Sequence, residues 1–426
     1  MEPASPTAGL PIRKNTVLLA LCMTAMSGML QLVAAVSSLT LVLVTGIEGL
    51  LGLGPAIFLV SAAAASGPAG RAMDRVGRVP VLACGFAAGA AGAIVTGLGA
   101  RTVSAPLVIA GFVILGASNG TVALVRAAGG DLVPPERRAR GIAYVLVGAV
   151  FGAILGPAVF SPLFAGRELT PQELAVPWFA SSLFMVAGLV LVLNVRPDPR
   201  RIAELIAPGT ATDTEGESAP LGTLLRRPGV VPALVAALSS FAVMVAVMNL
   251  SGYVIVDHHH HHQHDVFPVI GAHVLGMYAL VLVVGTLIDR IGREPALVAG
   301  LLIMSVSCLG LLATESVWAT ALLLFGLGLG WNFSFVAATA ELVDRARPRE
   351  RGKLLGFSDQ LASLLGAGLA LLGGFALSEL GVAALAIGSA VLALLPAIWI
   401  AQRSLARVLG SPGRQAQPAS SEAEQG

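Results

Sequence analysis

Twelve apolar runs, each 19 to 26 residues long, recur along this chain: 17–41, 53–72, 79–99, 104–127, 142–163, 176–195, 231–256, 266–288, 295–313, 317–340, 353–377 and 380–401. At about 1.5 Å per helical residue, each run reaches the roughly 30 Å of a bilayer's hydrocarbon core. A helix satisfies its own backbone donors and acceptors, so it can cross lipid where irregular chain cannot. The runs are continuously apolar and do not alternate every second residue, which argues against a membrane β-barrel. Charged residues make up 12% of the chain, against about 25% in soluble domains, so most of its surface cannot face water. The expected fold is an all-α membrane protein of twelve transmembrane helices, surrounded by lipid and without a nucleic-acid partner. Cys22, Cys84 and Cys308 lie inside apolar runs, so no disulfide framework is implied. Arg13 and Lys14 precede a first run too long for the core of a signal peptide, which predicts an uncleaved first span.

The longest interruption, 196–230, separates spans six and seven. It is polar, with Pro197, Asp198, Pro199, Arg200 and Arg201 at its start. This divides the chain into an N-terminal six-helix bundle (1–195), a linker (196–230), a C-terminal six-helix bundle (231–402) and a disordered tail (403–426). With the N-terminus and every even-to-odd loop on one side, that side collects 24 of the 26 Lys and Arg residues. Basic loops stay in the cytoplasm. Both termini and the linker are therefore expected there, in a multi-pass protein of the cytoplasmic (inner) membrane.

The two halves repeat. Gly70-x-x-x-Asp74-Arg75-x-Gly77-Arg78 follows span two, and Gly285-x-x-x-Asp289-Arg290-x-Gly292-Arg293 follows span eight, 215 residues later. Asp131, Pro135, Arg140 and Gly141 after span four match Asp344, Pro348, Arg351 and Gly352 after span ten. The chain looks like a duplicated six-helix unit. Twelve spans with this motif in both the 2–3 and 8–9 loops resemble the major facilitator superfamily. The resemblance implies two pseudo-symmetric bundles, alternating access around a cavity lined by spans 1, 4, 7 and 10, and a gating role for the repeated motif. Its glycines permit close helix approach, and Asp74 and Asp289 stand where a carboxylate can meet a helix N-terminus and an arginine.

Span five carries Gly148, Gly152, Gly156 and Pro157, of which GxxxGP resembles the superfamily's antiporter signature. Ala143 and Phe160 depart from it, and Phe112 stands near the place of an arginine frequent in span four of proton-coupled members. Both departures weaken a drug-antiport reading; small residues every fourth position also simply let helices pack.

Polar residues inside spans are costly and so informative. Gln31, Asn119, Asn249 and Asn332 put one carboxamide on each of spans 1, 4, 7 and 10, with Trp331 beside Asn332 as a stacking face. These five are the expected substrate cavity; packing between helices is the other use for such amides. Arg126, at the end of span four, is expected to snorkel to the membrane edge. His273, Asp359 and Glu48 are the titratable groups available for coupling. No acid lies at mid-membrane, which favours a neutral, zwitterionic or anionic solute over a lone cation.

All seven histidines fall between 258 and 273. By topology, six of them form an outer loop between spans 7 and 8, a feature that resembles one bacterial branch of the superfamily. His258 with His262, or His260 with His264, are spaced to ligate a transition metal on a helical turn, and a solvated loop without function has the same composition.

No Walker-type loop and no nucleophile–base set is present, so neither direct ATP use nor enzymatic catalysis is expected, and no cofactor is required. The leading expectation is a monomeric secondary transporter of a small organic solute, coupled to protons or ions. A metal or metal-chelate transporter using the His cluster, and a non-transporting membrane sensor, are the alternatives.

Overall fold

The computed structural model describes residues 10–47, 53–164, 170–206, 219–253, 266–314 and 316–409. Every regular element among them is helical. The first half contains α1 (Ile12–Thr45), α2 (Leu53–Val76), α3 (Arg78–Arg101), α4 (Ala105–Val122), α5 (Val125–Asp131), α6 (Arg138–Leu146), α7 (Gly148–Phe164) and α8 (Pro171–Leu193). Two short linker helices follow, α9 (Pro199–Ile206) and α10 (Leu221–Leu225). The second half contains α11 (Val230–Tyr253), α12 (Val266–Tyr278), α13 (Val281–Ile291), α14 (Arg293–Gly310), α15 (Val317–Asp344) and α16 (Arg351–Leu409).

Spans four and five are each interrupted once, at Ala123–Leu124 and at Val147, and span eight is bent by 44° between α12 and α13. Among the described residues ten helices are long and apolar enough to cross a bilayer, or eleven when α12 and α13 count as one. Spans eleven and twelve were expected as separate helices, but the break foreseen near 378–379 does not interrupt the 59-residue helical run of α16. A straight helix of that length would reach roughly 90 Å. Yet Arg351 meets Asp131 at one end, while Arg403 lies beside Arg226 and Arg227 at the same end of the bundle, and Ser305 donates to the Ala390 carbonyl between them. The run therefore crosses the bundle twice. It continues to Leu409, past the expected end of the second bundle at 402.

Helices of each half pack chiefly on one another: α3 on α4 and α8, α1 on α7 and α8, and in the second half α15 on α12 and α14, α11 on α16. The seams between halves run where α2 meets α16 and α6 meets α13. The glycine stripe of span five faces α1. A Cβ at Gly148 would overlap the Ala20 carbonyl oxygen, and Thr24 and Ser27 donate at 2.9 Å to the carbonyls of Gly148 and Ala149. Small residues let these backbones touch, and the hydroxyls bond across the contact.

Candidate functional site

A cavity of about 180 Å³ lies between the halves, lined from both. Met23, Met26 and Leu30 of α1, Asn119 of α4 and Arg126 of α5 form the first-half side; Tyr278, Trp331, Phe335 and Asp359 stand opposite. Trp331 and Phe335, one turn apart on α15, stack with ring centroids 4.5 Å apart and planes 12° apart. Tyr278 meets Trp331 edge-on at 6.1 Å. The result is an aromatic wall on a largely apolar chamber.

One charged pair interrupts that wall. Arg126 bonds Asp359 through Nη2, donates from Nη1 to the Ala123 carbonyl at 2.8 Å, and sets its guanidinium 4.8 Å from the Phe335 ring centroid. Arg126 is only 3% exposed, so the expected snorkelling to the membrane edge does not occur. Leaving water is costly for a guanidinium unless a carboxylate and further acceptors receive it, and Asp359 with the Ala123 carbonyl does so here. The partner lies 233 residues away, and no single span discloses it.

Asn119 Oδ1, Trp331 Nε1 and Asp359 Oδ2 are buried without a hydrogen-bond partner, and all three residues line the chamber. Of the other expected cavity residues, Gln31 and Asn332 are not among the lining. Gln31 is half-buried against Gly156, and Asn332 is 1% exposed with both amide atoms unpartnered. The side chain of Asn249, Glu48 and the cluster His258 to His264 lie outside the described residues. His273 does not line the chamber: Nδ1 is 3.0 Å from the Leu324 carbonyl oxygen, which fixes the ring against α15, and Nε2 has no partner. Among the described residues no group of His, Cys, Asp or Glu is placed to hold a metal.

The repeated motif closes the end of the bundle that carries the arginines. Gly70 of α2 packs on Gly352 so closely that a Cβ there would overlap the Gly352 carbonyl oxygen. One turn on, Asp74 accepts from the backbone N–H groups of Gly352 and Lys353, at the N-terminus of α16, and from Arg78 Nη1 at 2.8 Å. Arg78 Nε bonds Asp131 at 2.9 Å, its Nη2 bonds the Pro348 carbonyl at 2.8 Å, and Arg351 joins Asp131 from the other half.

The second copy repeats these contacts with the halves exchanged. Asp289 accepts from Ala139 N and Arg140 N at 3.2 and 3.1 Å, at the start of α6, and from Arg293 Nη1 at 2.7 Å. Arg293 bonds Asp344 at 3.1 Å and the Pro135 carbonyl at 3.0 Å, and Arg138 joins Asp344. The equivalent of Arg351 is thus Arg138, not Arg140 as the sequence pairing had it. The register that matters is counted from Asp131 and Asp344. The copies differ in burial: Arg78 and Asp131 side chains are fully buried, whereas Asp344 is 21% exposed.

A family model described as the Major Facilitator Superfamily matches residues 16–268 and 269–423. YddS of Bacillus subtilis (strain 168), named an MFS-type transporter, is 31% identical over 360 residues, covering 82% of this chain and 81% of its own. The riboflavin transporter RfnT of Brucella anthropi is 29% identical over 349 residues, covering 82% of this chain and 85% of its own. Among solved structures, the human organic anion transporter MFSD10 superposes with a TM-score of 0.73 at 20% identity, over 92% of this chain and 99% of its own.

Proposed function

Because this chain belongs to the Major Facilitator Superfamily, and is a membrane transporter and not an enzyme, we propose that it moves a small organic solute by alternating access through the chamber between its halves. The observation that carries this reading is the Arg126–Asp359 pair, which joins the halves inside that chamber. The solute lies against Trp331 and Phe335 and pairs with the unpartnered atoms of Asn119, Trp331 and Asp359. A planar heteroaromatic molecule bearing both donors and acceptors fits such a wall, and the RfnT relative makes riboflavin the first solute to test. Asp359 is the coupling group: protonation removes its hold on Arg126 and lets the halves part. The basic end faces the cytoplasm, by its arginine excess, and the Asp74 and Asp289 motifs latch that face shut in the outward-facing state. One chain suffices, since the chamber is built within it. The segment His258 to His264 carries no part of this proposal, and no observation favours a metal or sensor reading.

Purified protein in proteoliposomes, with a pH gradient imposed, tests it. Gradient-driven uptake of labelled riboflavin, or of another heteroaromatic solute from a panel, is expected, and Asp359→Asn should abolish the gradient's effect. If no small solute is moved or bound by the parent protein, the proposal fails.

A further inference from the structure

Outside the two latches, the basic end holds an open basin of about 660 Å³. The turn between α2 and α3, the end of α8, the start of the linker and Arg349 enclose it. Arg75, Arg196, Arg200, Arg201 and Arg349 face two carboxylates there, Asp198 and Glu204. Both acids are already engaged. Asp198 accepts from the backbone of Val79 and of Arg200, each at 2.9 Å, and Glu204 accepts from Arg200 at 3.1 Å and Arg349 at 3.4 Å. The side chains of Arg75, Arg196 and Arg201 are exposed and have no hydrogen-bond or ion-pair partner among the described residues. Five arginines less two carboxylates leave a formal charge of +3.

An apolar strip leads into this basin. Leu183, Val186, Val190 and Leu193 are spaced three, four and three residues apart on α8, hence on one face, and all four are exposed. Leu193 is part of the basin wall, and Val76 on the far side of the basin is exposed as well. The cationic pocket and the strip therefore meet at the edge of the lipid-facing surface.

We infer that the basin binds the phosphate headgroup of an anionic phospholipid whose acyl chains lie along the α8 strip. A soluble anion could use the arginines but has no use for the strip; the two together suit an amphiphile, and arginine offers a planar fork to phosphate oxygens. The basin draws α2, α3, α8 and the linker from one side and Arg349 from the second half. An occupied basin adds a bridge at the end that both latches close, so anionic lipid stabilises the closed basic end.

The test is thermal unfolding of the full-length protein in detergent, titrated with phosphatidylglycerol, phosphatidylcholine, and soluble glycerol phosphate or inorganic phosphate. Phosphatidylglycerol should raise the melting temperature of the parent, and the other three should not. Arg196→Gln with Arg201→Gln should weaken the phosphatidylglycerol response by about tenfold to thirtyfold in half-saturating lipid concentration, at roughly 1 kcal/mol per arginine. The single variants serve if the double variant does not fold. An equal response of parent and variants, no response of the parent, or an equal response to phosphatidylcholine overturns the site. A response to soluble phosphate as large as to phosphatidylglycerol overturns the lipid as its occupant.

Discussion

In the proposed transport cycle the chamber's chemistry turns on Arg126 and Asp359. Each on its own is a charge that a span tolerates badly; together they form a neutral unit between the halves. Removing one partner leaves the other buried and alone. Asp359→Asn is therefore expected to cost about 3–5 kcal/mol of stability. Adding Arg126→Gln should return part of that loss, with a coupling energy of about 0.5–3 kcal/mol in a double-mutant cycle of chemical unfolding. Additive losses would show that the two side chains do not act as a pair. Trp331→Ala removes the stacking face and one of the unpartnered donors from the same chamber, and should weaken binding of a transported solute about 5- to 150-fold by titration.

At the scale of elements, the contact between α2 and the N-terminus of α16 is the tightest part of the closed end. Gly70 meets backbone there, which cannot yield as a flexible side chain can. A Cβ at the corresponding Gly285 would lie 2.6 Å from the Ala143 methyl and 3.0 Å from the Ala139 carbonyl oxygen, a less crowded approach. Gly70→Val should separate α2 from α16 at a cost of about 1–3 kcal/mol, and Gly285→Val should cost less. Comparing melting temperatures checks the order, and equal losses would contradict it. The linker adds a second tie. Glu350, between α15 and α16, accepts two bonds from Arg227 and backbone bonds from Arg347 and Ala219. Burial by itself would raise its pKa, but these donors outweigh burial and hold the carboxyl below its ordinary 4.5. A carboxyl depressed by folding adds stability in full above the unfolded value, and loses it as pH falls through the folded one. Glu350→Gln should thus lower stability by about 1–3 kcal/mol at pH 7. The gap from the parent should narrow only below about pH 4.5, a window set by the direction of that shift. Unfolding midpoints measured from pH 7 down to 3.5 would reveal a parallel offset if this account is wrong.

For the whole molecule, the two motif copies join the same halves from opposite sides of the seam. They are related by the repeat but not equal: the Asp74, Arg78, Asp131 and Arg351 cluster is buried, and the Asp289, Arg293, Asp344 and Arg138 cluster is wetter. Charge-assisted bonds weaken where water competes for them. Neutralising Asp74 should therefore open the basic end more than neutralising Asp289. A cysteine placed at Ser358, in the chamber wall, should label from that end faster in Asp74→Asn than in Asp289→Asn, and both faster than the parent. Unchanged labelling in both variants would reduce the motif to a determinant of topology.

The sequence by itself determined that the chain is an all-helical membrane protein, that it is a tandem repeat, and which family it belongs to. Apolar run length answers to bilayer thickness, and Gly, Asp and Arg at fixed spacing stay visible without knowledge of any contact. It also supplied three residues that line the chamber, Asn119, Trp331 and Asp359, because a polar group in an apolar run stands out. What it could not supply were the pairings. Arg126 is a snorkelling arginine until α16 brings Asp359 beside it. The match of Arg138 with Arg351 was legible in the spacing, since the offset that pairs Asp131 with Asp344 and Pro135 with Pro348 pairs these two as well, but the contacts of Arg138 with Asp344 and of the start of α6 with Asp289 were not. Asn332 and His273 sit at matching depths, yet Asn332 is buried outside the chamber lining and His273 is set against α15, because depth follows residue count while direction follows how each helix is rotated against its neighbours. Rotation and pairing are set by side chains hundreds of residues apart packing around one chamber, and only the assembled tertiary structure contains that information.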